Sequence, residues 1–600
     1  MRGVSGTLGL FVVLGIALLA SSEVSGAQIN QPPPPSPTPG WDTSANHPGD
    51  PNYHVQTYPI AFVKAPLAPE TLEWTCRDFD TVDHSAECTN DNQASCTDYV
   101  DSQNHAHDKQ WIQRRHGAEH NAHLGSDVVS ATNPGVGNEL WIYLPPNGQV
   151  KKLFPLPIHQ TQGKIDFAPS VGSVVEPSLS EDGTKIYFSY FQDATEAAGT
   201  NLKDSETVPL SGADMYAIDI GPLLSSPLWD PSMLHVTRLT TRSYITGTHQ
   251  QLPSDRDKDA MNPTMAATPA AATAYGTVYL HPTEVRTRTG LHLAYVSNKR
   301  RLDNSNDRMR VSNYNLNLHL AWLNPDGTLG PEDSQFEYYT TTSALSPTPL
   351  REGLAFSYQA TTDDNRYWHI QKLDSEGRWS PLIGYGHGDQ LFHLGTFCVS
   401  DVDGFPGGET HDYFVALKYY NINNESFGSL WKQDLSILGK NSYGNASGAS
   451  ILVPRQDGAT ELTLAPVSLS HDSPSPYDIA NGKYYGKFTT PRCGGVDELY
   501  FAYSPTGADN KVPDYECNRA IYRSRIGFRD SLQPWTVNAP AGPNGHSTVI
   551  KRTNDDFNLL WPLPILGWVT RTNGDSQQRY KLNPVTRRTP DVAPGEPFAI

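Results

Sequence analysis

The chain has 600 residues, 37% hydrophobic and 10% aromatic, which is enough apolar material for a large core. Its formal net charge of −19 makes an acidic surface that repels phosphate backbones and argues against a nucleic-acid partner. With 48 Gly, 48 Pro and 29 Tyr, and without long helical periodicity, the composition favours an all-β chain rich in turns.

Residues 1–27 read as a secretory signal peptide. Arg2 supplies the positive start, Leu8 to Ala20 (LGLFVVLGIALLA) the apolar run, and Ser25-Gly26-Ala27 the small residues of a cleavage site. The run is too short to span a bilayer, and no Cys follows it closely enough for a lipid anchor. The expected location is periplasmic or secreted, with no membrane span after signal removal. Residues 28–52 form a Pro-rich linker whose core, Gln31 to Gly40 (QPPPPSPTPG), is extended and semi-rigid.

Residues 53–130 are expected to be a separate Cys- and His-bearing segment. If Asp108 to Leu124 is helical, His116 and His120 lie one turn apart and His123 follows on the same face. Neutral imidazoles at that spacing can hold a divalent metal such as Zn²⁺ or Cu²⁺; the competing reading is a polar, solvated face. Gly117 weakens the helix, and HxxxH without the Glu of HExxH is no protease signature. Six cysteines in an exported chain suggest disulfides. Cys493 and Cys517 flank a plausible hairpin and are the preferred pair; Cys76, Cys88, Cys96 and Cys398 stay unassigned, with one further pair expected within the first cluster.

From residue 131 to about 570 the pattern becomes short strands between turn clusters. Glu176 to Tyr190 (EPSLSEDGTKIYFSY) is the clearest unit: a Pro-bearing strand, the Asp182-Gly183 turn, then an aromatic strand. Met215 to Asp219 and Val236 to Thr240 complete it. The phrase returns at Leu291 to Asn298 with Leu318 to Gly327, and at Ser346 to Pro349 with Leu354 to Tyr358 and His369 to Gly377. Further copies lie at Phe414 to Tyr420 and at Glu498 to Tyr503 with Ala520 to Tyr522. A four-stranded unit repeating with variable loops predicts a β-propeller of about six or seven blades, because each blade buries its faces only against its neighbours. The alternative is an array of two-sheet sandwiches. The apolar run Phe557 to Val569 carries Pro562 and Pro564 and is expected to be a packed strand-loop segment. Residues 571–600 read as the start of a C-terminal region.

These residues resemble the propeller-bearing middle region of the hydrazine synthase alpha subunit and its bacterial relatives. The resemblance rests on Tyr58 to Lys64 (YPIAFVK), Glu176 to Tyr190, Ala294 to Arg300 (AYVSNKR), Leu391-Phe392-His393, Tyr419 to Asn424 with Phe427-Gly428, and Thr490 to Cys493 before ELYFAYSP. It implies c-type haems in domains flanking the propeller, and work inside a multisubunit complex that joins nitrogen compounds. The 600 residues contain no CxxCH, so neither haem site carries over, and haem is expected only if the chain continues beyond residue 600. The apolar ending before Ile600 suggests a fragment or a shortened relative.

Other chemistry finds little support. No GxSxG, GxxxxGK[ST] or helix-opening GxGxxG occurs. Asp401-Val402-Asp403-Gly404 reads as a turn rather than a calcium loop, and His393 as a structural histidine near the channel. Catalytic residues stay unassigned. The function expected is an exported propeller scaffold for ligand or partner binding, with protein partners in a periplasmic complex; the alternative is a fragment of a multihaem periplasmic oxidoreductase. Expression in a bacterium that exports the chain is expected to yield a mature N-terminus at Gln28 by mass spectrometry. Recovery of the chain with residues 1–27 still attached would remove the signal-peptide reading.

Overall fold

A computed structural model describes residues 58–66, 71–78, 86–87, parts of 97–116, 136–160 except 146–148, 172–194, 212–247 except 227–229 and 243, 273–299, 316–336, 343–383 except 352, 363 and 364, 392–400, 411–418, 429–435, parts of 453–468, 487–504 except 496 and 497, 520–525, 547–550, and 557–582 except 574 and 575. Among these residues, six four-stranded antiparallel sheets make the six blades of a β-propeller. Blade 2 runs Ser173–Leu179, Lys185–Phe191, Ala213–Asp219 and His235–Arg238, from axis to rim. Blade 3 runs Tyr279–Thr287, Gly290–Ser297, Asn317–Leu323 and Leu329–Glu332, and blade 4 Ala344–Pro349, Leu354–Thr362, Asn365–Leu373 and Trp379–Ile383. Blade 5 runs Phe392–Ser400, His411–Lys418, Ser429–Asp434 and Val467–Ser468; blade 6 runs Lys487–Cys493, Glu498–Ser504, Ala520–Arg525 and Ser547–Ile550.

Blade 1 closes the ring from both ends of the described chain. Its innermost strand, Phe557–Pro564, pairs with Ile60–Pro66 in a register running from Ile60 opposite Pro564 to Pro66 opposite Phe557. Glu139–Leu144 and Gln149–Phe154 complete that sheet. The apolar run Phe557 to Val569, expected as a packed strand-loop segment, therefore supplies this closing strand and, after Ile565-Leu566, the start of a separate strand, Gly567–Asn573. Residues 60–66, expected to lie in a separate N-terminal segment, belong to the ring instead. Most of that segment sits between the second and third strands of blade 1, where Thr71–Asp78, Ala86–Glu87 and Lys109–His116 form a small sheet of their own. Within the span 108–124 expected to be helical, the described part, Lys109–His116, is instead a strand that pairs along its whole length with Thr71–Asp78. Aromatic Trp111 and β-branched Ile112 suit a strand better than a helix, and Gly117 follows it.

Seams between blades are apolar. Tyr187, Met215 and Ala217 of blade 2 pack on Leu293 and Tyr295 of blade 3, and Phe392, Phe397 and Phe414 of blade 5 pack with Ala355 and Ile370 of blade 4. A large side chain buried in this way contributes about 1.5–3 kcal/mol, so each blade is stabilised mainly by its neighbours. The predicted turn forms at Asp182-Gly183. Gly183 has φ +74°, and a Cβ there would stand 2.8 Å from the Gly567 nitrogen, so both conformation and space require glycine.

Every innermost strand carries a bulge at the same height. The ladder skips at Glu176, His281, Ser346, Leu394, Thr490 and Trp561, whose φ values are +34°, +55°, +49°, +44°, +47° and +47°. Left-handed backbone at a non-glycine residue costs on the order of 1–3 kcal/mol, so the surrounding ring must impose it. In five blades the next residue is proline: Pro177, Pro282, Pro347, Pro491 and Pro562. A bulge leaves a residue out of the ladder, and proline has no N–H to strand there.

Cys493, at the end of the innermost strand of blade 6, is bonded to Cys398 on the innermost strand of blade 5, with Cα atoms 5.3 Å apart. The expected pairing with Cys517 is thus corrected, and Cys517 lies outside the described residues. Sequence proximity suggested a hairpin staple; the fold instead brings together two cysteines separated by 95 residues. Replacing both Cys398 and Cys493 by Ser is expected to lower unfolding stability by about 2–4 kcal/mol, read from denaturant melts. Reducing agent should then change the melt of the wild-type chain and leave that of the variant where it is.

Candidate functional site

The bulges re-aim side chains toward the axis, where a cavity of about 90 Å³ is walled by residues of all six blades. Ser178, Thr283, Thr348, Thr396, Arg492 and Leu563 represent blades 2, 3, 4, 5, 6 and 1 in turn. A site of this volume holds only a few small polar molecules, since about 10–15 Å³ of such space accommodates one water.

The bulge residues bond to each other across the ring. Glu176 is 3% exposed and is the hub: Ser346 donates its hydroxyl to Oε2 at 2.9 Å, and Arg492 donates to Oε1 at 3.0 Å. His281, 2% exposed, places Nε2 3.5 Å from Oε2. Its Nδ1 accepts the main-chain N–H of Ser346 at 3.1 Å, which puts the ring proton on Nε2, facing Glu176. Burial raises the Glu176 carboxyl, but His281, Arg492 and the two hydrogen bonds outweigh it and hold the group below its ordinary value. Burial pushes His281 down; Glu176 opposes this and Arg492 adds to it, so the imidazole is neutral at pH 7.

The N–H of a bulge residue must find an acceptor outside its own ladder, and the preceding blade supplies it. His281 N–H reaches Ser189 Oγ at 3.1 Å, and Leu394 N–H reaches Ser357 Oγ at 3.1 Å; both serines lie on the second strand of the blade before. Blade 3 has Val296 at the equivalent position and blade 6 has Ala502, neither with a hydroxyl. There the bulge side chain itself takes over: His281 Nδ1 receives Ser346 N–H, and Thr490 Oγ1 receives Trp561 N–H at 3.0 Å. His281 and Thr490 are therefore acceptors that the architecture needs.

This bonding also decides the chemistry. Ser346 gives its proton to a carboxylate and not to the imidazole, so the Ser-His-Glu set is no nucleophile–base pair. Both oxygens of Glu176 are engaged, one by a guanidinium, which disfavours a cation at the same place. Among the described residues no group of three or more His, Cys, Asp or Glu side chains is placed to hold a metal ion. The cluster carries no net charge, one carboxylate against one guanidinium. Its hydroxyls and paired charges suit a small polar ligand that is neutral or zwitterionic.

Of the residues singled out in the sequence, Cys493 borders the cavity and is disulfide-bonded. His393 is buried on the innermost strand of blade 5 and stacks on Trp368 at 4.7 Å, while Thr396 and Phe397 of the same strand reach the cavity. His116 ends a strand of the small inserted sheet; His120, His123 and the Asp401 to Gly404 turn lie outside the described residues. The hub residues Glu176, His281 and Ser346 were missed as a site. Their shared signal, a polar residue directly before proline, was present in four of the six repeats, at Glu176, His281, Ser346 and Thr490.

A six-bladed propeller with a buried, charge-balanced polar cluster on its axis is the class of protein defined so far. Scanned against known protein families and searched against curated proteins, the chain matches none. Among solved structures it is similar to the hydrazine synthase of Kuenenia stuttgartiensis, with a TM-score of 0.36 and 11% identity over 83% of this chain and 47% of that one. It therefore spans about half the length of that chain. It is also similar to a protein of unknown function from Dyadobacter fermentans, with a TM-score of 0.29 and 10% identity over 65% of this chain and 96% of the other. A putative glycoside hydrolase from Parabacteroides distasonis gives 0.21 and 10% over 48% and 74%. At these scores no functional argument rests on the comparisons.

Substituting Glu176→Gln is expected to cost about 3 kcal/mol, because it leaves Arg492 without its buried partner. The pH dependence follows from the lowered carboxyl. The unfolded chain takes up this proton first as pH falls, so the contribution is present above the ordinary carboxylate range and lost as pH drops through the folded value. Acid melts of the variant should lack that part of the loss; an unchanged difference between the two proteins from pH 7 to pH 3 would contradict the ionised pair.

Proposed function

We propose that the chain is an exported propeller scaffold that binds a small polar ligand at its axis, and that it does so among protein partners in a periplasmic complex. The observation that carries the ligand reading is the axial cavity, whose walls come from all six blades and whose charges are already balanced by Glu176 and Arg492. Drug-sized ligands occupy cavities of roughly 300–1,000 Å³, so about 90 Å³ selects a molecule of only a few non-hydrogen atoms. The hydroxyl-bearing residues Ser178, Thr283, Thr348 and Thr396 are part of its wall. A net cation meets the Arg492 guanidinium and a net anion meets the Glu176 carboxylate, so selection favours molecules without net charge. The leader-like first 27 residues support the exported part of the reading.

Titration calorimetry with acetamide, glycine, acetate and methylammonium tests the ligand reading. Acetamide or glycine is expected to bind the wild-type chain more tightly than either ion, and binding should be lost in Ser178→Leu, which fills the cavity. Binding that survives in Ser178→Leu, or a preference for either ion, would overturn the axial site. A haem absorption band in the purified protein would replace the scaffold reading with a redox one.

A further inference from the structure

A second cavity, of about 380 Å³, lies along the seam between blades 2 and 3. Glu284, on the innermost strand of blade 3, forms part of its wall and is 8% exposed. The side chain crosses the seam. Oε1 accepts the Tyr187 hydroxyl at 2.5 Å, and Oε2 accepts the main-chain N–H of Glu181 at 2.6 Å, both from blade 2 and its turn. Two further ties flank it: Ser178 donates its hydroxyl to Pro282 O at 2.5 Å, and Arg286 forks the Glu181 carboxylate.

We propose that Glu284 makes the seam between blades 2 and 3 a proton-sensitive joint. The groups that bear on it are Asp182, Lys185 and Tyr187 from blade 2 and Arg286 from its own strand, while the neighbouring strand places uncharged Leu293 opposite. Neither cation is dedicated to Glu284. Arg286 is engaged by Glu181, and Lys185 lies against Gly327 on the outer turn of blade 3, where it favours the ionised form of Asp326. Burial therefore dominates. It outweighs the Tyr187 hydrogen bond and the nearby cations, Asp182 adds to it, and the carboxyl is pushed up to about 7 from an ordinary 4.5.

The sign of the effect follows. Between about pH 4.5 and pH 7 the folded chain holds a proton that the unfolded chain has released, so stability falls as pH rises through that window and levels off above it. Ionisation leaves a buried carboxylate with no cation of its own between the two blades, so the joint is tighter in mildly acidic solution than at pH 8. The axial pair behaves in the opposite sense, since Glu176 stabilises only when ionised. The two carboxyls can thus be told apart by the direction of their pH dependence.

Thermal melts from pH 5 to pH 8 of the wild-type chain, Glu284→Gln and Tyr187→Phe provide the test. Relative to Glu284→Gln, the wild-type melting temperature is expected to drop as pH rises toward 7, by an amount corresponding to release of up to one proton. Tyr187→Phe removes a donor that favours the ionised form, so its drop should move to higher pH. If the wild-type and Glu284→Gln curves run parallel across the range, the proposal fails. Should Glu284→Gln not fold, a Tyr187→Phe curve that coincides in midpoint with the wild type overturns it equally.

Discussion

The ring depends on one backbone constraint. Each innermost strand bulges at the same height, and the amide displaced from its ladder must be satisfied by the blade before it. Four of these bonds are defined: to Ser189, to Ser357, to the ring nitrogen of His281 and to the hydroxyl of Thr490. An unpaired buried N–H costs about 1–3 kcal/mol, so each bond ties blade to blade as firmly as a large apolar contact does. Proline after the bulge spares the strand a second stranded amide. The same geometry that satisfies the backbone turns polar side chains inward, and the axial cluster is a product of it.

Two buried carboxyls on the innermost strands meet opposite fates for a plain electrostatic reason. Glu176 has a guanidinium and two further donors directed at it, and these overcome burial. Glu284 has hydrogen-bond donors but no cation of its own, since Arg286 and Lys185 serve other carboxylates, and burial wins. Because desolvation grows with burial in both, the sign is decided by whether a full opposite charge is reserved for the group. This leaves Glu176 as a structural hub that is ionised and Glu284 as a group that titrates close to neutrality.

Much of the fold was legible because its signals are local. Asp182-Gly183, the alternating strand Lys185–Phe191 and the recurring Pro-led strands each report on a few neighbouring residues, and repetition of such units points to a ring. The helix expected around His116 failed because a single histidine spacing cannot outweigh a partner strand, and Thr71–Asp78 lies about forty residues upstream of it in a segment without obvious pattern. The disulfide was misassigned for a related reason. Cys398 and Cys493 are far apart in sequence, and only adjacent placement of blades 5 and 6 brings their Cα atoms to 5.3 Å.

By itself, the sequence determined an all-β propeller built from a repeated hairpin, the proline-led strands and the absence of a haem-attachment sequence within 600 residues. The tertiary structure decided the number of blades at six, the closure of the ring by residues 557–564 on residues 60–66, and the meeting of Glu176, His281, Ser346 and Arg492. The difference is physical. Turn and strand preferences are set by residues next to one another, whereas ring closure and charge pairing join residues up to several hundred positions apart, whose encounter no local preference encodes.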